Sequence, residues 1–292
     1  MKIAAVVVTF NRKALLLETL RGLTEQTRKP DHIYVIDNAS SDGTGDELEY
    51  SGFLSREDVS YVKLDKNTGG AGGFNRGIEI AKQAGYDWFW TMDDDVEPEE
   101  KALEVLLEYI EISECINSTK TFTESGEVQY WEQYFDFATG RLIDLKNSSF
   151  WNEKKWCPVN VACFEGMLVS KRIVDLVGLP DKSYFIYHDD TVFGIKASLY
   201  TNVIYVRDAV FRKKIYGYGK ASPFRAYYTI RNSFKLKRDV FATGMVGSSA
   251  KFTNLLFCAN LFKISFSIIR ESTTLATFKS VLKGWWHGYR GV

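Results

Sequence analysis

Trp90-Thr91-Met92-Asp93-Asp94-Asp95-Val96 is the stretch on which the reading of this chain turns. It follows Gly85-Tyr86-Asp87-Trp88-Phe89, an aromatic run that leaves a turn and reads as a buried strand. Three consecutive carboxylates at the end of such a strand repel one another, so a cation must lie nearby or a pKa must rise. In an extended backbone, residues two apart share a face. Asp93 and Asp95 can therefore grip one cation while Asp94 points elsewhere. All-oxygen ligands suit Mg2+ or Mn2+, ions that also bind phosphate oxygens. The plainer reading of the same residues is a solvated acidic turn before a helix near Pro98.

Upstream of this stretch, strand and helix patterns alternate. Ile3 to Val8 is a β-branched, apolar run that ends in Thr9-Phe10-Asn11-Arg12, and a helix pattern follows through Leu15, Leu16, Leu20 and Leu23. Ile33 to Ile36 is a second strand, ending in the turn-rich cluster Asp37-Asn38-Ala39-Ser40-Ser41-Asp42-Gly43-Thr44. Val59 to Leu64 is a third, and a helix from about Ile78 to Ala84 leads back to Trp88. This alternation predicts an α/β fold with a mostly parallel, doubly wound sheet. Ligands in such sheets sit beyond the carboxyl ends of the strands, and each polar cluster lies at one of those ends.

Between the third strand and its helix runs Asn67-Thr68-Gly69-Gly70-Ala71-Gly72-Gly73-Phe74-Asn75-Arg76-Gly77. A dinucleotide fingerprint starting at Gly70 would need glycine where Asn75 stands, and the GK[ST] of a P-loop is missing. The expectation is a loop whose backbone approaches a ligand closely ahead of a helix N-terminus, or simply a flexible turn.

Residues 117–158 are rich in aromatics, among them Phe122, Tyr130, Trp131, Phe135, Phe137, Phe150, Trp151 and Trp156. Most are expected to pack over the sheet, and some could stack on sugar. Val159 to Val169 reads as a strand interrupted at Glu165-Gly166. Tyr184-Phe185-Ile186-Tyr187-His188-Asp189-Asp190 reads as a second aromatic strand ending in carboxylates, with a helix from about Thr191. Two acidic sites at strand ends could flank one cleft, one holding a cation and the other acting as a base. Helix capping is the alternative role for Asp189 or Asp190.

The net charge of zero hides an asymmetry. Fifteen Lys and Arg face two acids between Arg212 and Val292, a net of +13 balanced by −13 in residues 1–211. In Lys251 to Leu282 a polar stripe, Thr253, Asn260, Ser267 and Thr274, repeats every seven residues within an apolar helix pattern. That helix is too short and too charged to span a bilayer. An amphipathic helix on an anionic membrane fits, with Trp285 and Trp286 at headgroup level. Packing on the protein's own core or in a homo-oligomer is the alternative. The tail's apolar content argues against a nucleic-acid partner. Four cysteines without metal-finger spacing read as reduced thiols, and Met1-Lys2-Ile3 runs into a strand without a signal peptide. The expected location is cytoplasmic and peripheral on the membrane's inner face.

Together, the Val8–Arg12 and Asp37–Thr44 clusters and the Asp93–Asp95 site resemble family 2 glycosyltransferases of the inverting GT-A type. Within that family the Asn67–Gly77 stretch resembles galactofuranosyltransferases and related rhamnosyltransferases, and His188-Asp189-Asp190 stands where that subgroup carries Trp-Asp-Asp. The resemblance implies a GT-A fold, with a catalytic domain over 1–215 and a basic, mainly helical region over 216–292. It implies a nucleotide-sugar site at Thr9, Phe10, Asn11, Arg12, Asp37, Asn38, Asn67, Gly69, Gly70, Arg76 and Asp94. Asp93 and Asp95 would hold Mn2+ or Mg2+ on the diphosphate, and Asp189, with Asp190 beside it, would be the base. The implied donor is UDP-galactofuranose, or alternatively dTDP-rhamnose, and the acceptor a saccharide or polyprenyl-diphosphate-linked saccharide used in cell-surface polysaccharide synthesis. The family often supplies a histidine metal ligand about two dozen residues after the base, where this chain has Phe211-Arg212-Lys213-Lys214. That basic run could itself offset diphosphate charge. A DxDx[TV] phosphatase would want Thr or Val at Glu97, and a membrane-docked partner subunit that binds sugar nucleotides would leave catalysis elsewhere.

Overall fold

The computed structural model describes residues 1–129, 133–144, 155–215, 221–245 and 250–292. Tyr130, Trp131, Phe150 and Trp151 of the aromatic stretch, and the side chain of Thr253, lie outside the described residues. The N-terminal half alternates as expected: β1 (Ile3–Thr9), α1 (Lys13–Thr24), β2 (His32–Asp37), α2 (Thr44–Tyr50), β3 (Val59–Lys63), α3 (Gly69–Gln83) and β4 (Trp88–Asp93). β4, β1, β2 and β3 are neighbours in that order, and all three pairings are parallel. Every residue of β1 is buried. Ile3, Ala5 and Val7 face α1, while Ala4, Val6 and Val8 face α3, the two-sided burial that a central parallel strand requires. The register pairs Thr9 with Asp37 and Val8 with Asp93, so the polar strand ends line up along one edge.

Beyond β4 the sheet becomes mixed. β5 (Val96–Pro98), α4 (Ala102–Leu107), β6 (Cys115–Phe122) and β7 (Val128–Gln129) are followed by the two-stranded sheet of β8 (Gln133–Asp136) and β9 (Arg141–Asp144). Next come β10 (Trp156–Val159), β11 (Met167–Ser170), α5 (Lys171–Val177), α6 (Asp189–Ala197) and β12 (Val203–Lys213). β11 runs antiparallel between β4 and β6, and β12 extends the sheet parallel to β6. Phe135 and Phe137 pack together at 5.3 Å, as expected of most aromatics here.

Three expectations are corrected. First, the glycine stretch is not a loop, because α3 starts at Gly69. A Cβ at Gly73 would lie 2.5 Å from Val8 Cγ1, and one at Gly77 would lie 2.3 Å from Val6 Cγ1. These glycines let a helix lie directly on the strand beneath it. Second, Tyr184–His188 is no strand: a 3₁₀ turn at Lys182–Tyr184 runs into left-handed backbone at Phe185, Tyr187 and His188, so Asp189 opens a helix instead of ending a strand. Third, the amphipathic tail is two helices, α8 (Ala250–Glu271) and α9 (Leu275–Arg290), with Thr274 of the polar stripe capping α9. α7 (Pro223–Ala242) joins them through a cluster of Ile230, Phe234, Phe257, Leu261, Ile268 and Val281. Leu255, Phe262, Phe266, Phe278, Leu282 and Trp286 stay exposed. No described helix is long and apolar enough to cross a membrane.

Candidate active site

A cleft of about 1020 Å³ opens at the carboxyl edge of β1, β2 and β4, at the upper end of the size range of small-molecule pockets. Thr9, Phe10, Arg12, Asn38, Asn67, Gly69, Gly70, Asp93, Asp94, Asp189 and Asp190 line it. Asn11 and Asp37 stand behind that wall. Asn11 Oδ1 accepts from Ser41 N at 2.8 Å, and buried Asp37 accepts from Ser40 N at 2.8 Å and from the Tyr61 hydroxyl. Arg76 is the one predicted residue brought nowhere near the cleft: it pairs with Glu79 at 2.6 Å on the outer face of α3.

The wall beside β2 and α3 is built from short side-chain bonds at the strand ends. Asn38 Oδ1 accepts from Thr68 Oγ1 at 2.9 Å, and its amide donates to Gly69 O at 3.1 Å. Asn67 Oδ1 accepts from Gly69 N at 2.8 Å. These asparagines shape the first turn of α3, where backbone N–H groups would otherwise lack partners.

The three carboxylates after β4 separate as the alternation predicts. Asp94 turns back towards β1: its Oδ2 accepts from Thr9 Oγ1 at 2.8 Å and Phe10 N at 3.2 Å, and its Oδ1 from Arg12 at 3.1 Å. Burial pushes the Asp94 carboxyl up to about 6, against the pull of Arg12 and Thr9. Asp93 and Asp95 gather on the other side with Glu165, each offering an oxygen within 4.8 Å of the others. Burial raises the pKa of Asp93 well above the carboxylate range, and Glu165, Asp95 and Asp94 raise it further. Asp95 Oδ1 is buried and meets no donor among the described residues. Three hard oxygen donors and one unpaired buried oxygen fit a divalent cation.

Glu165 was visible in the sequence only as the acid that interrupts a strand. It lies in the turn before β11, whose Gly166 N donates to Thr91 O at 2.8 Å and so ties that turn to β4. The basic run at 211–214 does not act as one patch. Arg212 pairs with Glu99, and Lys214 with Glu18 and Glu97. Lys213 Nζ alone reaches the site, 2.6 and 2.7 Å from the two oxygens of Glu165. Burial opposes its charge, yet Glu165, Asp95 and Asp93 hold its pKa above the ordinary lysine value.

Asp189 and Asp190 face this cluster from α6. Asp190 accepts from Thr191 N at 2.6 Å and Thr191 Oγ1 at 3.2 Å, a local bond that opens the helix. No side chain among the described residues donates to Asp189, which is 7% exposed. Burial, then the charge of Asp190, raises its pKa well above the carboxylate range. Burial also pushes Asp190 up to about 6 and His188 down to about 4, so His188 is a neutral imidazole.

The backbone that delivers Asp189 is strained. Phe185, Tyr187 and His188 have φ of 67°, 65° and 67°, at roughly 1–2 kcal/mol for each residue bearing a Cβ. Hydrogen bonds from α7 oppose this strain. The fully buried Asn232 amide donates to Tyr184 O at 3.0 Å, Tyr187 O at 3.1 Å and Ile186 O. Arg231 donates to Ser183 O at 2.7 Å and Tyr184 O at 2.8 Å. At about 1 kcal/mol net per bond, and more from the guanidinium, they offset a cost of that size.

The family and the fold have known relatives. Residues 4–174 match the family model "Glycosyl transferase family 2". Galactofuranosyltransferase GlfT1 of Mycolicibacterium smegmatis is 30% identical over 194 residues, 64% of this chain and 62% of that relative. The chain thus spans less than two thirds of that relative's length. A dTDP-rhamnosyl transferase, RfbF of Shigella flexneri, is 22% identical over 96% of this chain and 90% of its own. Among solved structures, S. aureus TarS 1–349 superposes with a TM-score of 0.62 at 16% identity, covering 99% of this chain and 81% of that one. GalNAc-T7 with UDP, GalNAc and Mn2+ gives 0.61 at 14% identity, over 94% of this chain and 56% of that one. Both are GT-A glycosyltransferases, and the fold here is the same.

Proposed function

This chain belongs to glycosyl transferase family 2, and from that premise we propose that it is a glycosyltransferase that transfers galactofuranose, with inversion, from UDP-galactofuranose to a saccharide acceptor. One observation carries the reading: two acidic clusters, Asp93/Asp95/Glu165 and Asp189/Asp190, face one cleft at the carboxyl edge of the sheet. The first would hold Mn2+ or Mg2+ through Asp93, Asp95 and Glu165, and such a cation offsets the charge gained by a departing nucleoside diphosphate. Asp189 takes the proton from an acceptor hydroxyl as that oxygen attacks the anomeric carbon. The bond from that carbon to the diphosphate breaks in the same displacement, and no covalent enzyme intermediate forms. Asp94 holds Arg12 at the mouth of the donor site, and Asn38 and Asn67 shape the wall against which the nucleotide lies.

The donor assignment follows GlfT1, whose name states galactofuranosyl transfer. A dTDP-rhamnose donor is the second reading, favoured by the relative that spans nearly all of this chain. The acceptor we propose is a saccharide or polyprenyl-diphosphate-linked saccharide for cell-surface polysaccharide, met at the inner face of the membrane. Residues 1–215 would form the catalytic domain and 216–292 the acceptor-side and membrane-facing region. Exposed Phe262, Phe266, Phe278 and Trp286 beside Lys263, Arg270, Lys279 and Lys283 support an anionic lipid surface as partner.

The test is a donor screen with UDP-galactofuranose, dTDP-rhamnose, UDP-glucose and UDP-galactose. It reads nucleotide release with and without acceptor, and the anomeric configuration of the product by NMR. Preference for another donor, or retained configuration, overturns the corresponding part of the reading.

A further inference from the structure

We infer that Arg231 and Asn232 of α7 are positioning residues for the base, holding the left-handed segment 185–188 in the shape that aims Asp189 into the cleft. The inference rests on the assignment of Asp189 as the base. Local bonds shape the start of this segment, Ser183 N donating to Asp181 Oδ1 at 2.9 Å and Ile186 N to Tyr184 O at 2.8 Å, but Phe185, Tyr187 and His188 all carry side chains that resist left-handed backbone. The rest of the turn is held from outside, at both of its edges.

On the donor side, Ala71 N donates to Phe185 O at 3.2 Å, and Asn75 Nδ2 donates to Pro180 O at 2.8 Å. The Phe185 carbonyl sits so close to α3 that a Cβ at Gly69 would lie 1.9 Å from it. On the other side, Asn232 Nδ2 lies against the carbonyls of Tyr184, Ile186 and Tyr187, and Arg231 takes those of Ser183 and Tyr184. Arg231 Nε also donates to Asn232 Oδ1 at 2.8 Å, which sets the amide so that its NH₂ points at the segment. Lower on the same helix, Asp239 accepts from the Tyr184 hydroxyl at 2.6 Å, and Lys235 pairs with Asp181 at 2.8 Å. Four side chains of one helix thus grip the chain just ahead of the base, and Asn232 grips closest to it.

This arrangement ties the orientation of Asp189 to α7 as well as to α3, with α7 supplying the side-chain bonds nearest to it. Strained backbone persists only where its surroundings over-determine it, and it concentrates where geometry serves function. Loosening the clamp lets residues 185–188 relax and carries Asp189 off the line of attack. A displacement of about 1 Å can cost on the order of 10²-fold in rate. The donor site, built on β1, β2, β4 and α3, keeps its shape.

The test is a double-mutant cycle on the full chain with a defined saccharide acceptor. It uses Asn232→Asp, which keeps the size of the side chain and removes its donors, and Arg231→Ala at a half-buried position. Each is made alone and in the Asp189→Asn background. Turnover, donor affinity by calorimetry and thermal melting are read for all. The expected result is a loss in turnover on the order of 10²-fold for Asn232→Asp and about 10-fold for Arg231→Ala, with donor affinity held within about twofold. In the Asp189→Asn background neither substitution should lower turnover further, because the residue it acts through is already disabled. Unchanged turnover in the single variants overturns the inference. So does donor affinity that falls in step with turnover, or an undiminished loss in the Asp189→Asn background. If Asn232→Asp does not fold, Arg231→Ala completes the cycle on the same criteria. Full turnover of Asp189→Asn itself would instead sink the base assignment, a separate result.

Discussion

The two acidic clusters reach the same cleft by opposite routes. Asp93, Asp94 and Asp95 leave a regular parallel strand, and their backbone needs nothing unusual to present them. Asp189 and Asp190 follow three residues in left-handed backbone, held there by a helix some forty residues further along the chain. In the first cluster Asp94 is spent on structure, bonded to Thr9, Phe10 and Arg12. In the second, Asp190 is spent on the helix start, and Asp189 is left without a side-chain partner. Strand periodicity lays out two of the three carboxylates of the proposed cation site, whereas the proposed base is aimed by contacts remote in sequence.

The largest effect that can break this contrast is loss of the base. Asp189→Asn should lower turnover by a factor on the order of 10²–10⁴ while donor affinity by calorimetry stays near that of the parent. Asp190→Asn should lose less, and the reverse order would move the base by one residue. Next in size is the cation cluster. Asp93→Ala and Asp95→Ala should each abolish stimulation by Mn2+ or Mg2+ and weaken donor binding, and a parent enzyme fully active in excess chelator would remove the cation from the comparison.

A smaller effect concerns stability and has opposite sign in the two clusters. Asp94→Ala should destabilise by about 1–3 kcal/mol in chemical denaturation, because it strips buried donors of their acceptor. Asp189 has a raised pKa in the folded chain, so its stabilising share is fully present only below the unfolded value and is lost as pH rises through the folded one. Above the unfolded value this buried carboxyl is therefore a burden, and Asp189→Asn should melt higher by roughly a few degrees. Equal or lower melting would mean that this carboxylate has a partner. Smallest is a shift in pH profile. A base works ionised, so with the proposed base Asp189 raised well above the usual carboxylate range by burial and by Asp190, kcat/KM should fall with dropping pH at a pH above the ordinary carboxylate value of about 4. Asp190→Asn should move that limb to lower pH, and an unmoved limb would uncouple the pair.

The register of β1 with β2 and β4 explains how much of this was legible beforehand. Val8–Arg12, Asp37–Asn38 and Asp93–Asp95 each follow a short β-branched or aromatic run, and parallel pairing aligns such runs at their ends whatever the details of packing. Glu165 was not legible as part of the cation cluster, because its place depends on β11 pairing antiparallel with β4, a contact across more than seventy residues. Arg76 was misplaced for a related reason: read as part of a loop, it is the outward face of a helix that begins at Gly69. Tyr184–His188 misled because an aromatic run without glycine or proline has the composition of a strand, and hydrogen bonds from α7 and α3, both remote in sequence, hold its turn.

By itself the sequence determined the alternating α/β frame, the edge on which chemistry sits, and the identity of both acidic pairs. These follow from apolar periodicity and from carboxylates that nothing nearby in the chain neutralises. Only the tertiary structure decided which carboxylates gather into one cluster, that Lys213 alone of the basic run enters it, and that α7 shapes the approach to Asp189. The physical reason is that periodicity is a property of neighbours along the chain. Charge pairing and the left-handed turn are instead set by groups brought together only when the core closes.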